Sequence, residues 1–146
     1  MSTTAPLLFG DILALARERW VGAMAAGLAE KGYPGYRRSD AAALRFLRSG
    51  SRALGALAAP MGGSRQATRK VVTGLVERGY ATLESDPRDA RRRQVVLTPF
   101  GRAYAEAVLD TVNELNREVT EKVSPEELSA AVSVLTFVKD ALAKVG

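Results

Sequence analysis

Apolar or small residues recur every four positions along the N-terminal part of the chain, a spacing typical of a helical face. A helical turn takes about 3.6 residues, so a stripe that advances by four drifts around the axis by about 40° per step. The pattern therefore predicts a long helix over about residues 6–31 that contacts more than one surface. This helix is expected to end before Gly32, Pro34 and Gly35. The stripe consists of Leu8, Ile12, Ala16, Trp20, Met24 and Leu28.

Two shorter amphipathic segments follow this helix. Ser39 is in position to cap the first of them, which carries Leu44 and Leu47 on one face. The second covers residues 51–63 and is expected to be a short helix that ends near Pro60, because proline cannot continue a helix. Its inward positions are Leu54, Leu57 and Ala58.

A further helix begins after Ser64, a residue type favoured at helix N-caps, and ends before Gly79. Its other faces carry Arg65, Gln66, Arg69 and Lys70, so the helix is basic. Its buried stripe is predicted to be Val71, Val72, Leu75 and Val76.

Two segments rich in strand-forming residues come next, with the sequences YATLES and RRQVVLT. The charged run between them contains Asp86 and Pro87, and it is longer than a two-residue turn. The pattern predicts a β-hairpin with a protruding, flexible tip.

The C-terminal part of the chain predicts two more helices. Thr98 and Pro99 supply an N-cap and a first-turn proline, and residues 124–127 form a capping box with proline at the first helical position. The apolar seams suit dimerisation, although the alternative is that they pack only against their own domain. The seams are Tyr104, Val108, Val112, Leu115, Val119 and Val123, then Leu128, Leu135 and Leu142 flanked by Val132, Val138 and Val145.

Composition narrows the chemistry of this single predicted domain of 146 residues. The chain has no cysteine and no histidine, which excludes disulfides, thiolate metal sites, thiol redox sensing and histidine-based catalysis. We expect no metal or other cofactor. The N-terminus is a poor signal peptide, and the sequence has no apolar run long enough to span a membrane. These features predict a cytoplasmic protein without membrane contacts.

The basic residues are concentrated in the middle of the chain. The net charge is +5, but the stretch from Arg45 to Arg93 carries 11 basic and 4 acidic residues. This stretch has a net charge of +7, and the remainder of the chain has a net charge of −2. A concentrated positive patch indicates a polyanionic partner such as nucleic acid.

Two short helices, a basic helix and a charged hairpin in this order are the parts of a winged helix-turn-helix. In that fold the start of the basic helix enters the DNA major groove, where Gln66 is able to bond adenine and Arg65 guanine. Ala67 or Thr68 is expected to touch a thymine methyl group. The alternative is that these residues form only a solvated helix face. The candidate recognition residues are Ser64, Arg65, Gln66, Ala67, Thr68, Arg69 and Lys70.

The segment from Gly62 to Gly101 resembles the MarR family of bacterial transcriptional regulators. It has that family's recognition helix, Glu-Arg-Gly helix end, Asp-Pro-x-Asp wing and Leu-Thr-x-x-Gly exit. The resemblance implies a mainly α fold with a small β-hairpin wing, in which about residues 37–101 form the winged core. It also implies a homodimeric repressor on a pseudo-palindromic operator, with the terminal helices, about 6–31 and 99–145, at the dimer interface.

The resemblance gives the wing arginines different roles. It implies that Arg91 enters the minor groove of double-stranded DNA and that Asp89 braces its guanidinium, while Arg88, Arg92 and Arg93 suit phosphate contacts. Several residues depart from the family pattern, and a glycine inside a helix costs about 1 kcal/mol relative to alanine. The departures, which bear on the operator sequence, are Pro60, Arg69, Gly74 and Ala90.

Members of the family often bind small anionic or aromatic effectors, so the resemblance also implies a possible ligand pocket. The alternative is that its candidate residues are ordinary core and interface residues. Two other function classes are alternatives to the regulator: a winged-helix protein-interaction module without operator binding, and an enzyme based on carboxylates. The candidate pocket residues are Arg17, Trp20, Met24, Tyr33, Tyr36, Arg38 and Phe46.

Overall fold

The structure is a computed structural model that describes residues 5–143, with side chains from residue 8 onward. It divides into two compact units, the first ending at Thr111 and the second beginning at Val112. The first unit contains α1 (Ala5–Glu30), α2 (Arg38–Leu47), β1 (Arg52–Ala53), a 3-10 helix (Leu54–Ala56), α3 (Ala58–Met61), α4 (Arg65–Glu77), β2 (Ala81–Asp86) and β3 (Asp89–Leu97). Helix α5 (Pro99–Thr120) runs from the first unit into the second, which also contains α6 (Pro125–Leu142).

Helix α1 is the predicted long N-terminal helix, and its apolar stripe is buried only toward the C-terminal end. Met24 and Leu28 are fully buried. Leu8 and Ile12, in the same stripe, are 49% and 60% exposed. The four-residue spacing thus forms a helix whose C-terminal half contributes to the core of the first unit, while its N-terminal half presents apolar side chains to the surface.

Helix α2 begins two residues earlier than predicted, because the prediction placed its N-cap at Ser39. Arg37 is the N-cap residue, and Ser39 lies inside the first turn. The Asp40 side chain accepts a hydrogen bond from the backbone N–H of Arg37, at 3.1 Å. The predicted cap is therefore wrong, because Asp40 satisfies the helix start from within the first turn.

The predicted short helix over residues 51–63 is partly wrong. Its first residues form β1, in which Arg52 pairs with Val95. The 3-10 helix and the short α3 follow, and Pro60 is tolerated because it lies in the first turn of α3, where the missing N–H would have no intrahelical partner. Leu57 is buried as predicted, whereas Leu54 and Ala58 are only half-buried.

Helix α4 has the predicted start and end. The Ser64 Oγ accepts a hydrogen bond from the Ala67 backbone N–H at 3.0 Å, so the predicted N-cap is confirmed. Gly79 adopts a φ of 82°, the left-handed conformation expected just after a helix. Val72 and Leu75 are buried as predicted, and their neighbours Val71 and Val76 are half-buried.

The hairpin is confirmed, but its tip is tighter than predicted. The three strands form an antiparallel sheet in the order β1-β3-β2. Asp86 pairs with Asp89, so only Pro87 and Arg88 form the turn. The Asp86 carboxylate accepts a hydrogen bond from the Arg88 N–H at 2.9 Å, which closes the turn locally. Most of the charged run is therefore strand rather than loop.

The starts of the last two helices are confirmed. The Thr98 hydroxyl accepts a hydrogen bond from the Gly101 N–H at 2.9 Å, at the start of α5. The capping box at α6 has both of its hydrogen bonds, between Ser124 and Glu127. None of the helices within residues 5–143 combines the length and apolar character that a membrane span requires. The predicted seam residue Val145 lies outside the described residues.

Candidate nucleic-acid interface

The first turns of α4 present most of the predicted recognition residues to the surface. Arg65, Gln66, Ala67, Arg69 and Lys70 are all exposed. Thr68 differs from them, because it is 2% exposed and its Oγ1 has no hydrogen-bond partner among the described residues. Its side chain points into the core, so the expectation that it touches a thymine methyl group does not hold in this structure.

A groove between α4 and the hairpin brings together arginines that are distant in the sequence. Its volume is about 370 Å³, and every charged residue that lines it is an arginine. We call it the wing groove. Arg88, at the tip of the hairpin, is exposed and does not line it. The wing groove is lined by Ala53, Leu54, Gly55, Ala58, Arg65, Arg69, Arg91, Arg92 and Arg93.

Asp89 acts on the backbone of the wing rather than on an arginine side chain. Its Oδ1 accepts a hydrogen bond from the backbone N–H of Arg91 at 3.0 Å. Among the described residues no ion pair joins the Asp89 carboxylate to the Arg91 guanidinium. The predicted brace on the guanidinium is thus absent here: Asp89 fixes the strand from which Arg91 projects, and the exposed guanidinium remains available to a ligand.

A second groove runs along α4 and includes a residue that the sequence reasoning missed. Its volume is about 550 Å³, and we call it the α4 groove. Arg37, from the segment before α2, lies at Gly74. A Cβ added to Gly74 would lie 2.8 Å from the Arg37 Nη1 atom. The only signal in the sequence was the glycine itself, one of the departures from the family pattern. The α4 groove is lined by Arg37, Gln66, Arg69, Lys70, Thr73, Gly74 and Glu77.

Behind α4 lies a polar cluster that the sequence did not reveal. The Asp40 carboxylate is 1% exposed and accepts two hydrogen bonds from the Arg78 guanidinium, each at 2.8 Å. The Tyr104 hydroxyl donates a third, also at 2.8 Å. Arg78 donates further bonds to the carbonyl oxygens of Gly74 and Gly35. The cluster ties the end of α4 to the starts of α2 and α5.

The ionisation of this cluster follows from its burial and hydrogen bonds. The hydrogen bond to Asp40 raises the pKa of Arg78, so its guanidinium stays charged. Burial, and then the hydrogen bond to the Asp40 carboxylate, raises the pKa of Tyr104 far above the usual value for tyrosine. Arg78 is therefore a cation and Tyr104 a neutral donor at physiological pH. The Glu-Arg-Gly motif had pointed to Arg78 only as a residue at the end of a helix.

The predicted ligand pocket is assembled only in part. Arg17 and Arg38 line one open cavity of about 320 Å³ together with Ala14, Glu18 and Val21. Met24 is instead fully buried in the core. Tyr33 packs among other rings, with its centroid 5.4 Å from that of Tyr104 and 5.7 Å from that of Phe100. The predicted pocket residues that do not line this cavity are Trp20, Met24, Tyr33, Tyr36 and Phe46.

Comparison with known proteins gives similar structures but no family match. No protein-family model matches the chain, and no curated protein matches it. Among solved structures, a probable transcriptional regulator from Pseudomonas aeruginosa is 29% identical, with a TM-score of 0.72 over 88% of this chain and 95% of that one.

Two further structures have the same fold at lower identity. A mutant MarR from E. coli, complexed with operator DNA, is 18% identical with a TM-score of 0.74, over 92% of this chain and 96% of that one. The PcaV transcriptional regulator from Streptomyces coelicolor, in complex with its natural ligand, is 20% identical with a TM-score of 0.75. That comparison covers 97% of this chain and 96% of the other. The predicted fold, mainly α with a small β wing, is confirmed.

Proposed function

We propose that this chain is a MarR-like transcriptional regulator, which binds double-stranded DNA sequence-specifically and thereby regulates transcription. The observation that carries the proposal is the wing groove, where arginines from α4 and β3 line one surface without an acidic residue. Such a surface suits the phosphates of a duplex, and it lies beside the exposed first turns of a recognition helix. The solved structures named as transcriptional regulators support this function over that of an enzyme.

The exposed residues of α4 and of the wing have different proposed roles. Arg65 and Gln66 lie in the first turn of α4 and read base edges in the major groove, with Ala67 against a thymine methyl group. Arg91 enters the minor groove. The remaining cations contact phosphates and set the orientation of the protein on the duplex. These phosphate-contacting residues are Arg69, Lys70, Arg88, Arg92 and Arg93.

We further propose that the chain acts as a homodimer through its terminal helices. In the first unit, α1 exposes large apolar side chains, among them Phe9 at 40% and Leu15 at 48%. In the second unit, α6 exposes Leu135 at 43% and Phe137 at 71%. Apolar surfaces of this kind on long helices suit an interface between protein copies. A twofold axis would place two recognition helices about 34 Å apart, which matches two successive major grooves.

Release from DNA by a small effector is the third part of the proposal. Arg17 and Arg38 line one cavity, and two guanidinium groups suit a carboxylate or another small anion. The PcaV structure contains its natural ligand, which supports the idea that this fold responds to small molecules. Binding of an anionic effector is expected to weaken operator affinity, so that the protein acts as a repressor in the absence of the effector.

Selection of bound sites from random duplex DNA tests the function directly. The expected result is a pseudo-palindromic site whose two half-sites are centred about 10 base pairs apart, since each recognition helix of the dimer reads one half. Enrichment of a single unpaired half-site would contradict the homodimer. Uniform retention of all sequences, with no enriched motif, would contradict sequence-specific binding and favour the protein-interaction module.

A further inference from the structure

We propose that Arg37 is a further DNA-contacting residue, seated against Gly74 of the recognition helix so that its guanidinium binds a backbone phosphate in the α4 groove. This inference rests on the proposed function. Arg37 precedes α2 in the chain, outside the recognition helix and the wing, which are the elements that the sequence assigns to DNA binding. Contact with a phosphate would extend the DNA-binding surface to a third segment of the chain.

The backbone of Arg37 is held in place by the buried cluster. Its N–H donates a hydrogen bond to Asp40 Oδ2 at 3.1 Å, and the Asp40 carboxylate in turn accepts two hydrogen bonds from the Arg78 guanidinium. Arg78 in turn donates to the Gly74 carbonyl at 3.0 Å. Through these hydrogen bonds the position of Arg37 is fixed relative to α4, although Arg37 itself is exposed.

The side chain of Arg37 lies where a side chain at position 74 would project. An added Cβ at Gly74 would be 2.8 Å from Arg37 Nη1 and 3.8 Å from its Cζ. The first distance is shorter than real Cβ contacts allow, so the guanidinium lies against the bare backbone of the helix. Glycine at this position therefore permits the approach of Arg37, and any larger residue would displace its guanidinium.

The charge balance of the α4 groove favours a phosphate as the ligand. Arg37, Arg69 and Lys70 outnumber the single acid, Glu77, among the lining residues. Within the described residues the Arg37 guanidinium has no ion pair. The neighbouring Arg78 is already paired with Asp40. A planar guanidinium without a carboxylate partner, next to further cations, suits bidentate binding to a phosphate group.

The first test compares the salt dependence of DNA binding for the wild type and Arg37→Ala, using the duplex obtained by site selection. We expect the slope of log affinity against log salt to be smaller by about one unit, with a uniform loss of affinity across sequences. Arg45→Ala is the matched control, because it removes the same charge from an exposed residue of α2 that lines neither groove and lies outside the proposed dimerisation helices. An unchanged slope for Arg37→Ala, or an equal change for Arg45→Ala, would overturn the inference.

The second test examines whether glycine at position 74 is what allows the Arg37 guanidinium to lie against α4. Gly74→Ala is expected to weaken DNA binding in the presence of Arg37, and to have no further effect in the Arg37→Ala background. Its melting temperature should not fall, because alanine favours a helix more than glycine does. An equal loss in both backgrounds would mean that the added methyl group acts on the DNA directly, which would overturn the seating of Arg37.

The same measurements separate this inference from the proposed function. If the wild type binds the selected duplex and loses affinity on Arg91→Ala but not on Arg37→Ala, the regulator stands and only the role of Arg37 fails. A wild-type protein that has no affinity for any duplex would overturn both.

Discussion

Asp40 with Arg78 and Asp89 with Arg91 are two aspartate–arginine pairs that use the arginine in opposite ways. In the buried cluster, Asp40 and Arg78 pair through their side chains, and the carboxylate is almost fully enclosed. In the wing, Asp89 instead binds the backbone N–H of Arg91, and the arginine side chain is exposed. A carboxylate near an arginine therefore does not by itself neutralise the guanidinium. The first pair fixes the fold, and the second orients a strand while leaving a cation free for a ligand.

The energetic consequences of the two arrangements differ accordingly. Removing one partner from a buried pair leaves an uncompensated charge in a medium that solvates it poorly. An exposed arginine without an ion pair can be removed with little effect on folding, because it has few contacts to lose. Replacing Arg78 should therefore lower the free energy of unfolding, whereas replacing Arg91 should lower the affinity for DNA.

The largest effect is expected for Arg78→Ala, which should lower the stability of the fold. This change leaves Asp40 buried without its two guanidinium hydrogen bonds, so the free energy of unfolding should fall by about 3–5 kcal/mol. Urea denaturation followed by circular dichroism measures the loss.

Arg48→Ala is the matched control for that experiment. Arg48 pairs with Glu106 at 2.9 Å, but both side chains are substantially exposed, at 38% and 61%. Its loss should lower the free energy of unfolding by about 1 kcal/mol or less. Similar losses for the two variants would show that the Asp40–Arg78 pair is no more important to the fold than a surface ion pair.

The next effect, on DNA affinity, concerns Arg91→Ala. If Arg91 reads the minor groove, this variant should lose about 1–3 kcal/mol of operator binding free energy. Its free energy of unfolding should stay within about 0.5 kcal/mol of the wild type. Fluorescence anisotropy with the selected duplex gives the affinity.

Arg88→Ala provides the comparison within the wing. It removes the same charge from an exposed residue at the turn, which does not line the wing groove. We expect mainly a smaller salt slope and little change in sequence preference. A loss of preference as large as that of Arg91→Ala would remove the distinction between a probing arginine and a phosphate contact.

The contrast between these regions also marks what the sequence could reveal. Local signals were sufficient for the start of α4 at Ser64, the end at Gly79 and the capping box at Ser124, because each depends on residues within one turn. The wing was recognisable from its Asp-Pro-x-Asp motif. Its tip was not, because the pairing of Asp86 with Asp89 depends on strand register rather than on the length of the charged run.

Other errors share a physical cause, which is dependence on distant residues. Strand β1 is only two residues long and forms by pairing with β3, so it has no periodicity of its own. Asp40 looked like an ordinary acidic residue in a first turn, but its partners Arg78 and Tyr104 are 38 and 64 positions away in the chain. The error at Thr68 is of a different, local kind, because Thr68 lies one helical turn before the buried Val72 and therefore faces inward.

The smallest effect is expected for Asp89→Asn. This variant tests directly whether Asp89 acts on the backbone of Arg91 or on its guanidinium. Asparagine keeps an oxygen that can accept the Arg91 N–H but removes the charge. If Asp89 acts on the backbone, this variant should bind the operator about as well as the wild type. The Asp89→Ala variant, which loses the acceptor, should bind less well by about 0.5–1.5 kcal/mol.

The opposite pattern would favour an ion pair between the two side chains. If Asp89→Asn and Asp89→Ala lose operator affinity equally, the negative charge rather than the acceptor is what matters, and Asp89 would brace the Arg91 guanidinium when DNA is bound. The duplex titration that is used for Arg91→Ala measures both variants. An unchanged affinity for Asp89→Asn together with a loss for Asp89→Ala would place the function of Asp89 in the shape of the strand, as the 3.0 Å hydrogen bond to the backbone indicates.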